Sequence, residues 1–96
     1  PQYPAVRRDI AFVADAAVTH RDVVETVRQA APSELTKVRL FDTFESKEIG
    51  KGKRSMAFTL EFRSPDRTLT DPEVNAAFAK IVQALKSGLD VVVREG

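Results

Sequence analysis

The chain has 96 residues, 43% of them apolar and 30% charged, with 15 basic side chains against 14 acidic ones and no cysteine. That length suffices for one domain with a single core, and the absent cysteines exclude disulfides, thiolate metal sites and cysteine nucleophiles. A net charge of +1 excludes nucleic-acid binding by bulk positive charge, so any such role must rest on local charge placement and base contacts.

No stretch approaches the roughly 18 consecutive apolar residues of a membrane span, and the N-terminus does not resemble a signal peptide. The expectation is a cytoplasmic protein with no membrane partner. The chain begins at Pro1 without an initiator Met, and residues 1–96 are read as a single domain, a piece of a longer chain.

Two prolines in the first four residues disfavour helix and suit an extended lead-in. Arg8 to Asp15, RDIAFVAD, alternates as a strand, with Ile10 and Phe12 on one side and Asp9, Ala11 and Val13 on the other. Arg8 and Asp9 are expected to form a local ion pair at its start. Thr19 followed by Asp22 matches a helix N-cap with an acid in the first turn. Val23, Val24, Val27, Ala30 and Ala31 then recur at three- and four-residue spacing, which predicts an amphipathic helix over 20–31, stopped by Pro32.

Leu35 to Glu45, LTKVRLFDTFE, reads as the second strand, but its alternation breaks. Val38 and Leu40 share one parity and Phe41 has the other, so a bulge or twist is expected near 39–41. With Phe41 turned to the core, Asp42 and Phe44 would face outward. Ser46 to Lys53, SKEIGKGK, is a solvated hairpin connection; it lacks the spacing of a phosphate-binding P-loop.

In the third strand Met56, Phe58, Leu60 and Phe62 fall on one face, and Ser55, Ala57, Thr59, Glu61 and Arg63 on the other. Ser64-Pro65-Asp66 turns the chain, and Thr70-Asp71-Pro72-Glu73 is a capping box with Pro tolerated in the first turn. Val74, Phe78, Ile81, Val82 and Leu85 form the buried stripe of the second helix, with Gly88 as its expected terminator and Leu89 to Arg94 as a last strand. The order βαββαβ predicts an α+β, ferredoxin-like sandwich: a four-stranded antiparallel sheet with two helices on one face and the other face open.

The residues give little support to catalysis. His20 is the one histidine; it sits in the first turn of a helix with no metal partner and no orienting group in sequence. Arg54-Ser55-Met56-Ala57-Phe58 faintly echoes an RNA-recognition motif, but Met56, Phe58, Leu60 and Phe62 are needed for the core. The open face is therefore read as small and polar: Ser55, Ala57 and Thr59, with Asp42, Phe44 and Arg94 from neighbouring strands. Small residues let a planar base approach, Asp42 accepts from base amino groups, and Arg94 donates or stacks. A protein–protein module that covers the same open face with a partner is the alternative.

PAVRRDIAFV at 4–13, LFDTFESKEIGKGKRSMAFTLEFRSPDRTLTDPEVN at 40–75 and the ending VVVRE resemble the ferredoxin-fold anticodon-binding domain at the C-terminal end of the bacterial phenylalanyl-tRNA synthetase β subunit. The resemblance implies a non-catalytic module that grips the anticodon loop of phenylalanine tRNA. On the motifs F-D-x-[YF] and K-S-[ML]-A-F it carries anticodon contacts onto Asp42, Phe44 and Ser55, and on the terminal strand onto Arg94. Phe44 stands where many members have Tyr, and Arg54 replaces the usual Lys. The parent is implied to be phenylalanine–tRNA ligase, an α2β2 heterotetramer in which the module meets the rest of the β subunit and the α subunit. No cofactor is expected in this domain; ATP and magnesium belong elsewhere in the parent.

Overall fold

The computed structural model describes residues 3–94. Its elements run β1 (Val6–Asp15), α1 (His20–Ala30), β2 (Leu35–Phe44), β3 (Lys53–Phe62), α2 (Asp71–Leu89) and β4 (Val92–Arg94). The four strands form one sheet in the order β2-β3-β1-β4, with every neighbouring pair antiparallel. The helices contact one another and supply Val23, Val27, Val74, Ile81 and Leu85 to the same core as the sheet. This is the ferredoxin-like sandwich expected from the order of the elements.

The core sits where strand alternation puts it. Ile10, Phe12 and Ala14 of β1 and Met56, Phe58, Leu60 and Phe62 of β3 are all buried. Phe12 and Phe58 are diagonal neighbours on the two central strands and stack with ring centroids 5.8 Å apart, their planes within 7°. Such a pair adds about 0.5–1.5 kcal/mol beyond the area it buries. His20 is exposed in the first turn of α1 and stacks on Phe58 with centroids 5.8 Å apart, on the helix side of the sheet.

Both helices start as their sequences dictate. Thr19 Oγ1 accepts from the Asp22 amide while the Asp22 carboxylate accepts from the Thr19 amide, and Thr70 with Glu73 repeats the arrangement. Each box satisfies two amides that would otherwise lack partners. Glu73 also receives both terminal nitrogens of Arg67, which fastens the Ser64–Arg67 corner to the start of α2.

Four expectations are corrected. Gly88 does not end α2: the helix runs on to Leu89, which packs against the core, and Asp90 makes the left-handed turn at φ 55°. Burial of Leu89 favours the extra turn, and Asp is one of the few residues that tolerate that conformation. The last strand is accordingly short, beginning at Val92 rather than Leu89. Arg8 and Asp9 do not pair, because strand neighbours point to opposite faces: Arg8 reaches Asp71 and Asn75 of α2, whereas Asp9 accepts from Thr59 at 2.8 Å on the open face.

The fourth correction concerns β2. Leu40 pairs with Phe58 and Asp42 with Ala57, so Phe41 is the extra residue of a bulge, and a second irregularity lies at Thr36. The bulge falls where the broken alternation put it, but Phe41 is 55% exposed rather than core-facing. It lines a cleft with Arg39 and Thr59, so it stands on the open face. A regular strand would send Asp42 and Phe44 toward the helices; the inserted residue instead puts Lys37 and Arg39 before it, and Asp42 and Phe44 after it, on one side.

Two outcomes follow from these contacts. Deletion of Phe41 should leave a folded chain whose β2–β3 ladder is uninterrupted from Lys37 onward, with Asp42 still opposite Ala57. Cross-strand nuclear Overhauser contacts between 42 and 57 check this, and their replacement by contacts between 42 and 58 would contradict it. The Arg67 hydrogen bond, with those from the Thr70 amide and hydroxyl, holds the Glu73 carboxyl at about 2, below its ordinary 4.5. A carboxyl depressed on folding stabilises the fold above its unfolded value and loses that contribution as pH falls toward the folded one. Glu73→Gln should therefore lower the urea midpoint at pH 6, and the gap to the parent chain should close between about pH 4.5 and 2. A gap independent of pH would refute this assignment.

Candidate nucleic-acid interface

The open side of the sheet is built from cross-strand rows. In one row Arg94, Ala11, Ala57 and Asp42 lie side by side, contributed by β4, β1, β3 and β2 in turn. In the next, Val92, Val13, Ser55 and Phe44 do the same. Strands lie about 4.7–4.9 Å apart, so each row spans roughly 14 Å. The first row is a floor of two methyl groups with a carboxylate at one end and a guanidinium at the other. No side chain larger than alanine rises from its middle, so a planar ring can approach the backbone.

The second row adds the aromatic. Phe44 is 44% exposed and lines a cleft of about 390 Å³ together with Val13, Ser46, Glu48, Ile49 and Arg94. The hairpin after β2 closes one end of this cleft. Its turn is held by Gly50 and Gly52, both at positive φ, by the Ser46 hydroxyl accepting from the Ile49 amide at 3.3 Å, and by the Ala16 amide donating to the Gly52 carbonyl at 2.8 Å. The glycines thus serve a hairpin, as their spacing implied.

All five residues singled out from sequence are brought to this one face: Asp42, Phe44, Ser55, Ala57 and Arg94. Their exposure differs in a way the sequence does not reveal. Asp42 and Arg94 are exposed and Ala57 is half-buried, but Ser55 is only 3% exposed. Arg94 reaches across from β4, and its Nη1 donates to Ser55 Oγ at 3.4 Å. Ser55 is therefore placed to hold the Arg94 side chain toward the second row, with its own hydroxyl largely covered.

Sequence reasoning missed four contributors, the first of them Ala11, which lies beside Ala57 and completes the floor of the first row. Val13 and Val92 wall the second row, and Val92 is 67% exposed; both follow from strand parity once the register is known. Ile49 folds over the end of the cleft. Its signal was an isolated apolar residue between turn formers in an otherwise polar loop.

Toward the far end of the sheet the face changes character. Thr59 donates to Asp9, Arg7 pairs with Glu61 at 3.0 Å, and the Thr36 hydroxyl donates to the same carboxylate at 3.2 Å. Burial pushes the Glu61 carboxyl up, but the Thr36 hydrogen bond and the charges of Lys37, Arg7 and Arg63 outweigh it and hold the group below its ordinary value. Lys37, Arg39 and Phe41 line the cleft beside it.

Comparison with known proteins shows the family of the chain. The model of the ferredoxin-fold anticodon binding domain matches residues 1–94. The chain is 40% identical over 94 residues, 98% of its length, to a protein named phenylalanine–tRNA ligase beta subunit from Lactococcus lactis. It is 40% identical over 93 residues, 97% of its length, to the protein of that name from Streptococcus pneumoniae, and 38% identical over 94 residues, 98% of its length, to that from Bacillus subtilis. It spans 12% of the length of each of these relatives. On the match to the domain model and on these identities, the chain belongs to the ferredoxin-fold anticodon-binding domain family.

Proposed function

We propose that this chain binds the anticodon loop of phenylalanine tRNA through its open sheet face, as one module of a longer phenylalanine–tRNA ligase β subunit. The observation that carries the reading is the row Arg94–Ala11–Ala57–Asp42, a floor of small residues between a donor and an acceptor, with Phe44 beside it. Single-stranded loop bases are read when they are splayed out, stacked on an aromatic or guanidinium plane and hydrogen-bonded along their edges. This face has one element for each of those interactions. Phe44 offers a ring for stacking, Asp42 accepts from an exocyclic amino group, and Arg94 donates to ring nitrogens or carbonyls. Ser55 acts through Arg94 by fixing its side chain.

Membership of a binding-domain family supports a non-catalytic role. Ligation would then occur elsewhere in the parent, where ATP and magnesium bind, and the module would hold the tRNA for it. The partners under this reading are the tRNA, the remainder of the β subunit and an α subunit, in the cytoplasm as an α2β2 assembly.

The test is discrimination rather than bare affinity. Fluorescence anisotropy with the phenylalanine anticodon stem-loop, and with the same stem carrying an unrelated anticodon, should show preference for the first. Asp42→Ala should cost about 1–3 kcal/mol on the cognate loop and little on the other. Equal binding of both loops, unchanged by Asp42→Ala, would refute the reading.

A further inference from the structure

The bulge at Phe41 joins two chemically different halves of one face. Along β2 the open side presents Lys37, Arg39, Phe41, Asp42 and Phe44 in succession. The half around Asp42 and Phe44 is the base-reading surface argued above. The other half, about 13 Å further along β3 from Ala57 to Glu61 at the usual rise per residue, has no role in that reading.

Its charge is uneven. Arg7, Lys37 and Arg39 share a cleft of about 430 Å³ with Glu61, Thr59 and Phe41. Glu61 is already engaged by Arg7 and Thr36, and Asp9 by Thr59. Among the described residues, Lys37 and Arg39 have no side-chain hydrogen bond and no ion pair. A chain with a net charge of only +1 thus keeps two cations outside any hydrogen bond or ion pair beside an exposed phenyl ring. Cations lining a groove beside an aromatic platform are what a single-stranded polynucleotide requires: phosphates meet the charges, and a base stacks on the ring without regard to sequence.

We infer that the Lys37–Arg39–Phe41 half of the face binds RNA that continues out of the anticodon, with Lys37 and Arg39 on the sugar-phosphate backbone and Phe41 under a flanking base. The inference rests on the proposed anticodon reading and extends it: one half discriminates, the other holds without discriminating. The occupant is RNA rather than a protein surface because two exposed cations beside an exposed ring suit phosphates and a stacked base together, and because this half is continuous with the proposed base-reading floor.

The 96-residue chain and the phenylalanine anticodon stem-loop suffice to test it, with binding measured from 50 to 300 mM salt. Lys37→Ala/Arg39→Ala removes two exposed side chains without partners, so the fold should persist. The salt slope should fall by about 1.4, the value for two phosphates of a single strand, while preference for the cognate anticodon stays unchanged. Phe41→Ala should weaken cognate and non-cognate loops alike, by about fivefold or more. If neither variant changes affinity or salt slope while Asp42→Ala weakens cognate binding, the inference fails and the anticodon reading stands. If Asp42→Ala is also without effect, both fail. A concentration-dependent dimer that buries Phe41 and excludes the RNA would likewise overturn the inference, since the face would then serve a second copy of the chain.

Discussion

Four large side chains on one side of one central strand hold this molecule together. Met56, Phe58, Leu60 and Phe62 of β3 are all but fully buried, and β3 lies between β1 and β2. Because a strand sends successive residues to opposite faces, committing those four to the core commits Ser55, Ala57, Thr59 and Glu61 to the other side. Antiparallel pairing then passes the same division to β1 and β2 by register, and to β4 through β1. A register slip of one residue would exchange the core with the open face, so the position of the proposed base-reading floor and the stability of the fold depend on the same constraint.

The departure from that constraint that brings Asp42 and Phe44 outward is at Phe41, beyond the first irregularity at Thr36. β2 is an edge strand with an irregular ladder, and an edge tolerates an inserted residue better than a centre does. The insertion changes parity once, which lets the open face collect side chains from both parities of the β2 sequence. Core contacts before the bulge, Val38 and Leu40, keep the strand seated on the helices, while Asp42 and Phe44 after it are delivered outward. The Asp42–Phe44 half and the cationic Lys37–Arg39 half can therefore coexist on one strand.

Much of this was legible in the residues. The core of β1 and β3, both capping boxes and the order of the elements follow from period-two and helical patterning and from cap chemistry, all of which are local. The break in alternation located the bulge, yet not the direction of Phe41, because parity alone cannot say which of two adjacent apolar residues is the extra one. The end of α2 was misjudged for a related reason. Gly88 is a local stop signal, but burial of Leu89 is a tertiary gain that no local pattern records. The candidate site residues were named individually; that Arg94 reaches Ser55, and that Ile49 lines the cleft, depends on pairings between distant segments.

The central claim is that the side of the sheet without helices receives the anticodon. Backbone amide shifts recorded during titration of the chain with the phenylalanine anticodon stem-loop at low salt test it most directly. The account predicts that residues 42–44, 55–57 and 94 move together, while the outward faces of α1 and α2 stay still. Shifts confined to the helices, with the sheet residues unmoved, would contradict it.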